Sequence, residues 1–486
     1  MLSQFERSSY VGNNDNETSD NLVVSNKVDE IVNDKKESDP TFNILTMSSN
    51  DLKSDNEKKS TKTRVLFCGT HPRLYSGYAN VVYNLVKRLA GHDDLDITLW
   101  AFQNFKQNNV PRPEIPGITI YDAWANENSD TKKAGFGESL IGDWLKSNPQ
   151  DLVIVYNDAS VVCMLMQNIR EKLSEEERGR TKFICYLDQV YRFQKERYIA
   201  LINNMFDEVV TFTSHWRTVI KSQLRPDMPV SVLPHGFDCN IYYPIDKSIC
   251  RIYFNVPSDA FVILTLNRCQ PRKRLDHMCM VIADIVERHR DLIASKPGKV
   301  HRPIKLLVGT ALTGSWDLPE ILSWEFKRRG LKPELINEYI IAVSKPQQLS
   351  DKEINILYNS ADCGIHCVDG EGMGLCALEH MGVGCPQVAN NVGGFKEFMS
   401  PSNAILSEPI CGYYSDASRD GIGGFGEMSD VGKVADGIWK LYQNPAIVKK
   451  LGKQARTDVL THFKWDAIAD RLYRIIVKSK KLAAKV

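Results

Sequence analysis

Between Arg64 and Trp100 the chain runs through a short apolar stretch, a glycine, a loop, an amphipathic helix and a second apolar stretch. Few folds accept that order. Val65-Leu66-Phe67-Cys68 is a continuous apolar run ended by Gly69, the pattern of a strand buried on both faces. The loop His71 to Ser76 leads to Gly77, after which Val81, Val82, Leu85, Val86 and Leu89 recur at helical spacing. Ile97-Thr98-Leu99-Trp100 reads as the next strand. Strand, glycine loop, helix and strand make a βαβ unit, the opening of a doubly wound parallel sheet.

The alternation continues down the chain. Strands are expected at 152–156, 183–187, 208–212 and 230–233, with helices at 200–205 and 216–223. Pro234-His235-Gly236-Phe237-Asp238, followed by Pro244, reads as a connector. A second alternating set then begins: a strand at 261–266, a helix at 275–289, a strand at 304–308, strands near Ile340 and Cys363, and a helix at 375–381. The expected fold class is α/β, with two facing Rossmann-like domains and a cleft between the carboxyl ends of their strands, where open α/β sheets bind ligands. A length of 486 residues suits two domains and a tail, at roughly 100–200 residues per domain. Residues 1–62 are rich in Asn, Asp, Ser, Lys and Glu and are read as a disordered tail. The domains are expected at 63–240 and 241–460, with 461–486 as a closing helix that returns to the first domain.

Charge narrows the partners. Lys and Arg number 61 against 60 Asp and Glu, a net charge of +1, so no broad basic field exists to hold nucleic acid. Attraction for phosphate must come from a few placed residues. No apolar run approaches the ~20 residues that cross a bilayer, and Met1 to Tyr10 is too polar for a secretory signal. The twelve cysteines are scattered, several of them inside apolar stretches, which suits reduced thiols and a cytoplasmic location. Cys363, His366 and Cys367 lie close together but have no second ligand pair at matching spacing, so no metal site is assigned. Lys87 and Arg88 add little basic surface beside Asp93-Asp94 and Glu175-Glu176-Glu177, so peripheral membrane contact, if the chain makes any, does not use a basic membrane-binding face.

Two segments carry chemistry. In Glu371-Gly-Met-Gly-Leu-Cys-Ala-Leu-Glu379, glycines follow the first of two carboxylates and a helix begins near Leu375. Glycines let backbone N–H groups approach a ligand, and the helix N-terminus adds partial positive charge. An anion such as a diphosphate fits there, with Glu371 and Glu379 touching different hydroxyls of one ligand. An ordinary glycine-rich turn with surface acids is the plainer alternative. The second segment, Asn267-Arg268-Cys-Gln-Pro-Arg-Lys273-Arg274, follows the strand 261–266 directly. Arg268 and Lys273 could clamp two phosphates and neutralise a leaving diphosphate; a solvated charged loop is the alternative. An NAD-dependent oxidoreductase fares poorly, because Gly69 and Gly77 are no G-x-G-x-x-G fingerprint.

Over about residues 63–486 the chain resembles the retaining glycosyltransferases of family 4, which have the GT-B fold. The resemblance rests on Arg268…Lys273, on Leu349-Ser350-Asp351…Leu357-Tyr358-Asn359-Ser360-Ala361-Asp362, on Glu371-x7-Glu379 and on Val392-Gly393-Gly394-x-x-Glu397. Ser76-Gly77-Tyr78, Thr213-Ser214, Pro234 to Asp238 and Phe463-Lys-Trp465 agree with it. It implies a nucleotide-diphosphate sugar as co-substrate, a hexose-type sugar transferred with retention, and no metal or other cofactor. Arg268 and Lys273 would bind the diphosphate and Glu379 the ribose. Glu371 and the backbone of Gly372, Met373, Gly374 and Leu375 would hold the transferred sugar, while the loop at Gly77 would close over the phosphates. The acceptor, whether glycan, lipid or protein, is not legible. Where many relatives carry a histidine at a strand end of the first domain, this chain offers Asp188, with Asp158 second. That departure motivates the alternative of a catalytically silent sugar-nucleotide-binding scaffold. His71 and His235 lie near the expected cleft edges and are read as backbone-orienting or solvent-facing; the base-contacting region is placed near Val343 to Pro346, and the glycine-rich stretch 420–427 has no assignment.

Overall fold

The computed structural model describes residues 62–105, 110–127, 134–415 and 422–483. The tail expected at 1–62 lies, except for Lys62, outside the described residues. Thirteen strands form two parallel sheets. The first contains β1 (Thr63–Thr70), β2 (Leu95–Phe102), β3 (Ile118–Asp122), β4 (Leu152–Asp158), β5 (Lys182–Asp188), β6 (Glu208–Thr211) and β7 (Val230–Val232), in the order β3-β2-β1-β4-β5-β6-β7. The second contains β8 (Phe261–Thr265), β9 (Ile304–Val308), β10 (Ile340–Ala342), β11 (Cys363–His366), β12 (Gln387–Asn390) and β13 (Ala404–Ser407), in the order β10-β9-β8-β11-β12-β13. The strand order reverses between β1 and β4 in one sheet and between β8 and β11 in the other. These two switch points are where an open α/β sheet leaves a crevice.

The central strands are apolar throughout because helices cover both their faces. In β1, Val65, Leu66, Phe67 and Cys68 are all at most 1% exposed. The helix Gly77–Leu89 starts at Ser76, whose hydroxyl accepts from the Ala79 N–H at 3.1 Å, and ends with Lys87 and Arg88 against the negative pole of its dipole. Its buried face, Val81, Val82, Leu85, Val86 and Leu89, is the stripe the spacing required.

The last helix, Trp465–Ala483, returns to the first sheet's layer. Arg88 Nε meets Asp466 at 2.5 Å, Tyr473 stacks on His92 at 3.8 Å, and Lys480 Nζ donates to Thr63 Oγ1 at 2.8 Å. The connector is pinned beside it, with the Phe237 N–H donating to the Phe463 carbonyl at 2.6 Å. Phe237 also closes onto the helix Leu375–Gly382, where a Cβ on Gly382 would stand 2.1 Å from its buried ring. Gly382→Ala is therefore expected to destabilise the protein by about 2 kcal/mol, within the usual range for overpacking a filled core. A urea titration checks this, and an unchanged midpoint would mean that the connector ring is free to move.

Among the strands, β3, β12, β13 and the antiparallel hairpin of β14 (Cys411–Ser415) and β15 (Gly424–Met428) were absent from the sequence reading. The unassigned glycine-rich stretch supplies part of β15, and Phe425 there bridges to Arg192 of the first domain. No helix among the described residues is long and apolar enough to cross a membrane.

Candidate active site

The loops that leave β8 and β11 at the second switch point meet in an ion-pair cluster. Pro271–Lys273 forms a single 3-10 turn, and Arg274 then takes a left-handed conformation (φ 47°) that starts the long helix Leu275–Ser295. This turn aims Arg272 and Lys273 at Glu371 in the facing loop: Lys273 Nζ and Arg272 Nη1 both reach Glu371 Oε2, the latter at 3.3 Å. Burial opposes a charge on Glu371, but the Lys273 ammonium and the Arg272 guanidinium override it and hold the carboxyl at about 2. Burial lowers the pKa of Lys273 in turn, against the attraction of Glu371. Arg274 is drawn aside into a two-bond pair with Asp276, at 2.9 and 2.6 Å.

Arg268 differs from its neighbours. Its side chain makes no hydrogen bond or ion pair among the described residues, and water reaches it although protein surrounds it on most sides. Burial and the nearby Arg272 lower its pKa, while Tyr78 and Glu371 raise it. An unpaired guanidinium inside a cleft is free to take a ligand anion.

The glycines after Glu371 serve distinct ends. Gly374 has φ 89°, a left-handed conformation that suits glycine, and directly precedes the helix Leu375–Gly382, whose N-terminus no side chain caps. The free N–H groups of that first turn give the cleft a positive pole. Gly372 lies so close to the first domain that a Cβ there would stand 2.4 Å from Asp188 Oδ1. Trp216 Nε1 holds this loop through the carbonyls of Gly372 (2.9 Å) and Glu371 (3.2 Å). Met373 is 2% exposed, so only its backbone can serve a ligand. Leu375 faces Gly77, with its Cδ1 3.4 Å from the position of a Cβ on Gly77, so the tips of two helices from opposite domains meet across the cleft.

Glu379 and Asp188 complete the arrangement. Glu379 accepts from the Tyr358 hydroxyl at 2.9 Å and, across the cleft, from Asn80 Nδ2 at 3.3 Å. Burial pushes its carboxyl up to about 8, against the Tyr358 hydrogen bond, so it is mostly neutral at pH 7. Asp188, at the carboxyl end of β5, accepts from the Tyr78 hydroxyl through Oδ2. Its Oδ1 is buried and has no hydrogen-bond partner among the described residues. Burial raises the Asp188 pKa to about 6, opposed by Tyr78 and by the charge of Arg272.

The structure thus brings Arg268, Lys273, Glu371, Gly372, Gly374, Leu375, Glu379, Gly77 and Asp188 to one cleft. Asp158, the second candidate at a strand end, is used locally instead: its Oδ1 accepts from the N–H groups of Ser160 (3.0 Å) and Val161 (3.2 Å) and caps the next helix. The solvent-facing role for His235 is corrected. Its ring is 4% exposed, packed 4.2 Å from Phe212, and burial pushes its pKa down to about 3. His71 does orient backbone, its Nδ1 accepting from the Arg73 N–H at 3.2 Å. His366 Nε2 contacts Gln387 Oε1 at 3.0 Å, and among the described residues no three His, Cys, Asp or Glu side chains group as metal ligands. Sequence reasoning left Arg272, Tyr78, Asn80, Tyr358 and Trp216 without roles. Arg272 and Tyr358 lay inside quoted motifs, and Tyr78 and Asn80 occupy the first turn of a helix already aimed at the cleft.

Residues 332–458 match the family model described as glycosyl transferases group 1. The chain is 29% identical over 180 residues to a D-inositol 3-phosphate glycosyltransferase of Thermobispora bispora, covering 37% of this chain and 39% of that protein. It is 23% identical over 283 residues to the human alpha-1,3/1,6-mannosyltransferase ALG2, covering 57% and 58%. The matches thus span less than two thirds of these relatives. Among solved structures, the fold is similar to sucrose-phosphate synthase from Thermosynechococcus elongatus, with TM-score 0.62, 17% identity and coverage of 86% of this chain and 100% of that one. Anabaena HepE, in complex with UDP and glucose, gives TM-score 0.58 at 16% identity, covering 86% and 100%.

Proposed function

We propose that this chain, which through residues 332–458 matches the family of group 1 glycosyl transferases, moves a hexose-type sugar from a nucleotide-diphosphate sugar to an acceptor with retention of configuration. The observation that carries this reading is the convergence of Arg268, Arg272 and Lys273 with an uncapped helix tip and two buried glutamates in one cleft. The cations would take the diphosphate and stabilise its charge as it leaves, which supplies without a metal ion what a metal would otherwise supply. Glu379 would accept from the ribose hydroxyls, releasing Asn80. Glu371 and Asp188 would flank the transferred sugar. In a front-face transfer the C1–O bond to the diphosphate breaks as the acceptor oxygen bonds to C1 on the same side. The acceptor's proton then passes to the departing phosphate oxygen. All twelve cysteines are free, which supports a reducing, cytoplasmic setting.

The test couples affinity to protons. Glu379 has a pKa of about 8 in the empty cleft, and hydroxyl donors favour its ionised form. Binding should therefore release up to one proton, and affinity should rise by up to about tenfold per pH unit between pH 6.5 and 8. A nucleotide-diphosphate sugar titrated calorimetrically in two buffers, with EDTA present, reads both quantities; its phosphates are fully ionised in that range. Affinity that is flat or falling with pH would overturn the role of Glu379. Tight binding with no transfer or hydrolysis over a panel of donors and acceptors would favour a binding scaffold over an enzyme.

A further inference from the structure

The second sheet carries another cavity, of about 350 Å3, at the end opposite the cleft. It opens beside the amino ends of β11 and β12, and its walls include Lys247, Arg302, Lys449 and Asp362. Asp362 is already fully engaged: Lys247 Nζ reaches it at 2.6 Å, the buried Arg251 at 2.8 Å and Arg302 at 3.0 Å. One carboxylate therefore faces three cations. Lys449 adds a fourth, exposed and with no ion pair among the described residues. Pro445, also in the wall, begins the 18-residue helix Pro445–His462, whose N-terminus has no side-chain cap, so its positive pole faces the cavity and offsets the carboxyl ends of the helices Asp351–Ser360 and Leu375–Gly382, which also reach it. Lys247, 41% exposed, can turn toward a ligand while Arg251, 3% exposed, keeps Asp362 paired; Arg302 is anchored by the carbonyls of Asp259 and Ala260, both at 2.9 Å, and presents its remaining amino group to the cavity from a fixed position.

A structural ion pair needs one cation for one carboxylate. The surplus here lines a hollow larger than a bare phosphate needs, and small-molecule sites begin at about 300 Å3. We propose that this cavity binds a small metabolite carrying a phosphate monoester, held by Lys247, Arg302 and Lys449. The site is separate from the donor cleft, yet Tyr358 lines it and donates through its hydroxyl to Glu379 at 2.9 Å. A bound phosphate therefore lies one side chain away from the glutamate proposed to grip the ribose.

The experiment uses the whole chain with the donor cleft filled by excess UDP, and titrates glycerol 3-phosphate and inorganic phosphate by calorimetry. Saturable binding is expected with Kd below about 1 mM for glycerol 3-phosphate. Lys449→Glu, at an exposed position, and Lys247→Gln, at a half-buried one, should each weaken it by about tenfold or more. The proposal is overturned if the wild type shows no saturable binding, or if binding survives both cavity variants undiminished. Because UDP binding is measured in its own titration beforehand, failure of the donor site and failure of this cavity give different results.

Discussion

Lys273→Ala is expected to cut turnover by about a hundred- to a thousandfold, to remove the stabilisation that a nucleoside diphosphate confers, and to lower the stability of the empty protein as well. Lys273 Nζ and Arg272 Nη1 share one oxygen of Glu371, with side-chain exposures of 10%, 12% and 8%. Removing one partner from a buried ion pair costs about 3–5 kcal/mol when the other charge is stranded. Here Arg272 stays at 3.3 Å, so a loss of about 2 kcal/mol is expected. With one cation fewer, burial weighs more on Glu371, and its carboxyl should rise from about 2 toward the ordinary range. The functional loss is larger. Deleting one preorganised charge that faces a leaving group lowers rates by about a hundred- to a thousandfold. Arg268→Ala is the contrast: Arg268 has no partner to strand among the described residues, so its removal should leave stability unchanged while weakening diphosphate binding. Thermal melts of both variants, with and without a nucleoside diphosphate at about a hundredfold excess over Kd, separate the two effects; the wild type should gain about 2.7 kcal/mol. An undiminished gain in Lys273→Ala would remove this lysine from the donor site.

The contrast between these two cations also marks what the sequence could disclose. Strand-forming runs such as Val65 to Cys68 announce themselves because a strand buried on both faces must be apolar along its length, and the helix from Gly77 carries its own period. The doubly wound layout followed from those runs. Short or half-exposed strands left weaker traces: β3 has no buried residue, and β14 has one. Within the cleft, motif spacing located the loops but not the pairing inside them. Nothing in Arg268…Arg272-Lys273-Arg274 tells which cation finds a carboxylate, because that depends on the 3-10 turn and on the left-handed Arg274. Contacts across the cleft, such as Asn80 to Glu379 and Tyr78 to Asp188, depend on how two domains dock. The enclosure of His235 likewise needs Phe212 and Trp465, far apart in the chain. One distinction was readable. Asp158 and Asp188 are register neighbours at the ends of β4 and β5, but only Asp158 runs straight into a helix, in Ala159-Ser160-Val161. An acid in that position caps its own helix, which leaves the other free for the cleft.

Asp188→Asn should make the protein more stable and a poorer catalyst. The Asp188 carboxyl has its pKa raised from 3.8 to about 6, chiefly by burial, so the folded state binds a proton more tightly than the unfolded chain. Stability from this group is therefore fully present below the unfolded value and is lost as pH rises through about 6. At 1.36 kcal/mol per pH unit, the ionised form costs up to about 3 kcal/mol at pH 8. An asparagine keeps an oxygen for the Tyr78 hydroxyl and carries no charge, so it should recover much of that at pH 8 and almost none at pH 4. Denaturant titrations at the two pH values read this difference. A protein retains such a buried, half-satisfied acid when the open oxygen has work in the bound state, and Oδ1 stands against Gly372 in the loop that follows Glu371. Turnover in the variant should fall by about a hundredfold, and the rise of activity with pH near 6 that ionised Asp188 produces in the wild type should vanish. A variant that gains stability at pH 8 while keeping full activity and the same pH profile would reduce Asp188 to a strained wall of the cleft. The transferred sugar would then have to be held by Glu371 and the helix tip alone.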